Sequence, residues 1–116
     1  MPGCVLRVAG PKFKPEKFAG LFPSSNIPTR GGDLNITVSE CDGHDVPGQA
    51  REAEEFLKRH EALIRKLLSE PEIKASLDFG VWQKEVPAQY VRVPATLAEL
   101  AGRLGLEIEI SMYAAR

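Results

Sequence analysis

Apolar and polar positions alternate along this chain with two different periods. Over residues 47–69, Ala50, Ala53, Phe56, Leu57, Leu63, Ile64, Leu67 and Leu68 recur at the spacing of one helical face. Glu54 and Lys58, Glu55 and Arg59, and Glu61 and Arg65 each set an acid four residues before a base. That order supports a helix on its solvent side. The pattern predicts one continuous helix about 33 Å long, at roughly 1.5 Å per residue. A stripe of that length cannot bury itself and requires a flat apolar cover.

Four stretches alternate with a period of two and supply that cover. Cys4, Leu6 and Val8 oppose Val5, Arg7 and Ala9 over 4–9, and Leu34, Ile36 and Val38 oppose Asn35, Thr37 and Ser39. In 75–84, Leu77, Phe79 and Val81 face one way while Asp78, Gly80 and Trp82 face the other. The last run sets Leu106, Ile108, Ile110 and Met112 against Glu107, Glu109, Ser111 and Tyr113. Pro15 opens a short helix to residue 21, with Phe18, Leu21 and Phe22 as its buried side. Thr96 and Glu99 have the spacing of a capping box for a further helix carrying Leu97, Leu100, Ala101 and Leu104, with Gly105 as its C-terminal cap. Residues 23–32 and 40–46 read as loops, and 87–94 as irregular chain or a short edge strand.

The order strand, helix, strand, long helix, strand, helix, strand predicts an α+β fold. Its sheet is expected to be four-stranded and mostly antiparallel, with helices packed on one face and the other face wet. The plan is that of a ferredoxin-like variant with an extra long helix. At 116 residues the chain is expected to form a single domain, 1–116.

Composition adds limits. The hydrophobic share of 43% and charged share of 27% are those of a globular protein. A net charge of -1 removes the basic excess that a nucleic-acid backbone binder shows. No apolar run reaches the length of a membrane span, and no signal core precedes the first strand. The chain is therefore expected in the cytoplasm, with Cys4 and Cys41 as free thiols. Lys12, Lys14 and Lys17 flank Phe13 and Phe18, which reads as solvation of an amphipathic turn in preference to a phosphate patch.

The densest polar run is 40–45. Asp42, His44 and Asp45 together offer oxygen and nitrogen ligands for a divalent metal. The favoured alternative makes Asp45 the cap of the helix that follows. A zinc set of Cys4, Cys41, His44 and His60 fails on distance, since His60 lies about 20 Å along the helix from the loop. His60 on the apolar stripe reads as a half-buried core member. No nucleotide-binding glycine motif, nucleophile elbow or metalloprotease pair is present. No catalytic residue and no cofactor are assigned, and the balance leans away from an enzyme.

What remains is a surface. Arg7, Asp78, Trp82, Glu109 and Tyr113 share the polar side of the sheet with Asn35, Thr37 and Glu107. A lone tryptophan among polar neighbours calls for a cover, because its ring is large and apolar. The loop 23–32, a second copy of the chain, or a docked partner would each serve.

Gly10-Pro11-Lys12-Phe13-Lys14-Pro15, then Leu21-Phe22-Pro23-Ser24, resembles the opening of a family of small bacterial proteins that form a domain of unknown function. The run from Leu97 to Ile108 and the Ser111-Met112-Tyr113 that follows resemble its close. The resemblance implies a bacterial cytosolic α+β domain and carries no catalytic residues. The expectation is a non-enzymatic interaction or regulatory module, of immunity type, that binds an unknown protein partner or itself as a homodimer through the open sheet face. No nucleic acid or membrane is expected as partner. The alternative is a small metal-dependent or ligand-binding enzyme centred on the loop before the long helix.

Overall fold

In a computed structural model the described residues are 3–22, 25–26 and 33–114. The alternating stretches become strands β1 (Cys4–Ala9), β3 (Leu34–Ser39), β4 (Lys74–Gln83) and β5 (Glu107–Ala114). A two-residue strand, β2 (Ser25–Asn26), joins them in one sheet of order β2-β3-β1-β4-β5. β1 pairs antiparallel with β3 and β4, β2 antiparallel with β3, and β4 runs parallel to β5. The α+β class, the mostly antiparallel sheet and the helices on one face are as expected. The ferredoxin-like plan, in which another strand splits each strand–helix–strand unit, does not hold: β1 lies directly beside β3, and β4, α3 (Ala95–Leu104) and β5 form a direct parallel unit.

The inward positions form one core. Leu6, Leu34, Ile36, Leu77 and Phe79 from the sheet meet Ala53, Leu57, Ile64, Leu67, Leu97 and Ala101 from the helices, all with essentially no exposed surface. Phe13 and Phe18 stack at 6.1 Å and are buried, as is Phe22, which closes that end of the core. Lys12 and Lys17 pair with Glu72 and Glu70, so the basic run flanking these rings is a solvated edge.

Four local expectations change. The predicted long helix is two: α1 (Val46–Arg59) and α2 (Glu61–Leu68), bent at His60, whose ψ of 20° departs from the helical value. The bend is not a loop, because the His60 N–H still bonds to the Phe56 carbonyl and Ile64 bonds back to His60. The His60 ring lies 4.4 Å from that of Phe56 and 6.0 Å from that of Phe22, so half-burial comes from tertiary packing that no local signal announces.

The segment opened by Pro15 is two 3₁₀ turns, Pro15–Lys17 and Ala19–Leu21, and Leu21 points outward at 55% exposure. Thr96 does not cap α3. Pro94 holds that position, and the Thr96 hydroxyl crosses to Glu54 of α1 at 2.8 Å. Ser39, expected on the wet face, is turned to the helix side by a bulge between Cys4 and Val5. One extra residue inverts the alternation. Ser39 Oγ then reaches Glu52 at 2.7 Å.

Candidate functional site

The side of the sheet away from the helices carries two polar clusters. The central one is built on Asp78, in the middle of β4 and 5% exposed. Arg7, across the β1 ladder, donates from both Nε and Nη2 to Asp78 Oδ2 at 3.2 Å. Ser111, on β5, donates to Oδ1 at 2.7 Å. Three neighbouring strands thus converge on one carboxylate. A buried carboxylate needs this, since the desolvation it suffers is offset only by charge and hydrogen bonds together.

The second cluster lies at the end of β4. Trp82 and Tyr113 are ladder partners, and their rings meet edge to face at 6.3 Å. His44 also stacks on the indole, at 6.1 Å. It comes there because the 40–45 loop runs beside β4 where β1 has ended: the Trp82 N–H bonds to the Gly43 carbonyl. Gly43 is required by this approach. A Cβ there would lie 2.8 Å from Trp82 Cδ1 and 3.0 Å from the Trp82 backbone nitrogen. Gln49, fully buried on α1, clamps the same loop by donating its Nε2 to the carbonyls of Cys41, Asp42 and Gly80. Beyond β4, Gln89 accepts from the Lys84 N–H and donates to the Trp82 carbonyl. These contacts fix the backbone on both sides of the indole.

Asp42 belongs to this cluster. Its carboxyl is held below the usual carboxylate value chiefly by the His44 backbone N–H, helped by the Trp82 indole N–H and the His44 side chain. His44 Nδ1 stands 2.8 Å from Asp42 Oδ2. Asp45 turns the other way and caps α1, accepting from the Gly48 N–H at 3.0 Å. The three residues considered as metal ligands therefore divide between two tasks. Among the described residues no group of three or more His, Cys, Asp or Glu side chains is arranged to hold a metal ion.

The cysteines are separate as well. Cys4 is buried in the core, and burial pushes its thiol up, reinforced by the charge of Asp78. Cys41 is half-buried with Sγ 3.3 Å from Glu52. A Ser39 hydrogen bond pulls its thiol down, but Glu52 as acceptor and charge, with burial and Asp45, outweighs it and the net shift is upward. Neither thiol is activated as a nucleophile.

Of the residues expected on the docking face, Arg7, Asp78, Trp82, Glu109 and Tyr113 all lie there, but not as one patch. Arg7 and Asp78 neutralise each other in the central cluster, while Trp82 and Tyr113 belong to the aromatic one. Glu109 stands opposite Asp78 on the edge strand and, among the described residues, makes no salt bridge. Sequence reasoning missed Gln49, whose position inside a helix reads as an ordinary polar residue, and it kept His44 and Trp82 apart. Their meeting depends on where the loop lies against β4. The loop 23–32 considered as a cover falls outside the described residues except for Ser25–Asn26, which pair with β3 at the opposite edge of the sheet. No helix among the described residues is long and apolar enough to cross a membrane. No protein-family model, curated protein or solved structure matches the chain.

Proposed function

We infer that this chain is a non-enzymatic interaction or regulatory module of the bacterial cytoplasm that engages a protein partner, or a second copy of itself, through the sheet face away from the helices. Trp82 and Tyr113 are its anchors. One observation carries the reading: a half-buried tryptophan and a tyrosine left 45% exposed stand ring to ring on a face that, among the described residues, has no helix over it. Large rings with one apolar side and one polar handle are what protein interfaces use as anchors. The central Arg7–Asp78–Ser111 cluster is the rigid floor beside them, and Glu109 gives the rim an acidic character.

Trp82 is the sole tryptophan, so its emission reports on this face directly. Light scattering after size exclusion, on wild type and on Trp82→Ala, tests the self-association form. For a partner, the wild-type chain, Trp82→Ala and Tyr113→Ala are compared as baits. A protein captured by the wild type and lost with both variants supports the reading. A monomer with the emission and quenching of a fully buried indole, or a partner retained by both variants, overturns it.

A further inference from the structure

The two edges of the sheet are finished differently. At one, β2 pairs with β3. At the other, β5 runs for eight residues with β4 on its inner side and, among the described residues, nothing on its outer side. An unpaired strand presents a row of backbone donors and acceptors that fits another extended chain.

The side chains of β5 sort this edge into two rows. Ile108, Ile110 and Met112 share the parity of Leu77, Phe79 and Val81 and lie on the helix side. Yet Ile108 is 37% and Met112 49% exposed. Glu107 and Glu109 lie on the wet side, opposite Ser76 and Asp78. Arg7 is already committed to Asp78, and among the described residues neither Glu107 nor Glu109 has a salt bridge. The edge is thus apolar on one side and carries uncompensated negative charge on the other.

We propose that the free edge of β5 takes an extended segment of a partner protein whose side chains alternate apolar and basic. Backbone pairing extends the sheet. The apolar row of the segment covers Ile108 and Met112, and its basic row meets Glu107 and Glu109. A second copy of β5 suits the edge less well, because it brings two further carboxylates to the wet side and no cation. The inference rests on the interaction-module reading but uses the edge where that reading uses the face.

The test uses the full chain and three peptides of the length of β5, eight residues. One alternates valine and lysine, one alternates valine and glutamate, and one has the first composition with the lysines in a block. Hydrogen exchange read along the chain locates the binding, and calorimetry measures it. The alternating basic peptide is expected to protect the amides of Glu107–Ala114. The acidic and blocked peptides are expected to bind at least about tenfold more weakly, and Glu107→Gln with Glu109→Gln to cost a factor of about ten. Equal binding of the blocked peptide, protection elsewhere in the chain, or a dimer whose β5 amides are already protected would overturn the proposal. Trp82→Ala is expected to leave the peptide affinity unchanged, so the edge and the face fail separately.

Discussion

The two polar clusters on the sheet face away from the helices look alike in composition and differ in kind. Around Asp78 both carboxylate oxygens find protein partners, and the carboxylate is almost wholly enclosed. Around Trp82 the rings are only partly enclosed, and His44 and Tyr113 leave much of their surface to solvent. Closed networks of the first kind hold three strands in register. Open aromatic groups of the second kind have contact area to spare. Polarity on a sheet face is thus no guide to function until it is known which groups satisfy each other.

Substitutions that break one cluster and spare the other sharpen this contrast. The largest effect is expected from Arg7→Met, which leaves the Asp78 carboxylate buried with only Ser111. Denaturant unfolding should show a loss of about 2–3 kcal/mol, below the full cost of a broken buried pair because the Arg7 side chain is 43% exposed. Trp82 emission should stay as in the wild type, and a change there would join the two clusters into one unit.

Gly43→Ala comes next. Its added Cβ meets the Trp82 backbone as well as the ring, and backbone does not give way as a flexible side chain does. A loss of about 1–2 kcal/mol is expected, with altered Trp82 emission. Trp82→Ala itself should cost about 1 kcal/mol, since the ring lies outside the core and is only half-buried, while abolishing whatever association the face supports. A thermal melt beside the binding measurement separates the two effects.

A smaller effect is expected from acid. The Asp42 carboxyl is lowered from 3.8 in the folded chain, so its contribution is complete above that value and is lost as pH falls further, through the lowered folded value. Trp82 emission followed below pH 3.8 should report release of the 42–44 loop in the wild type, and Asp42→Asn should flatten that response. The smallest change is assigned to Thr96→Ala, which removes one exposed hydrogen bond to Glu54 and should cost about 0.5 kcal/mol in a melt. A much larger loss would restore Thr96 as the true cap of α3.

Much of the fold was legible along the chain. The phase of the strands up to the bulge opposite Cys4 and Val5, the apolar faces of α1, α2 and α3, Asp45 as a cap and Gly105 at a φ of +81° all follow from residues a few positions apart. The candidate site was legible only in part. Trp82 and Tyr113 were assigned to one face from alternation alone, and the parallel pairing of β4 with β5 makes them neighbours.

The rest was decided in three dimensions. Arg7 and Asp78 stand 71 positions apart, and nothing in either neighbourhood marks them as partners. The bulge at Cys4 and Val5 turned Ser39 inward, the phenyl rings around His60 accompany a bend in the long helix, and the Gln49 clamp laid His44 on Trp82. Local periodicity is set by sterics within a turn or a pleat, so a single sequence records it. Register, bends and loop docking are set by which distant surfaces fit, and only the assembled sheet and helices determine that.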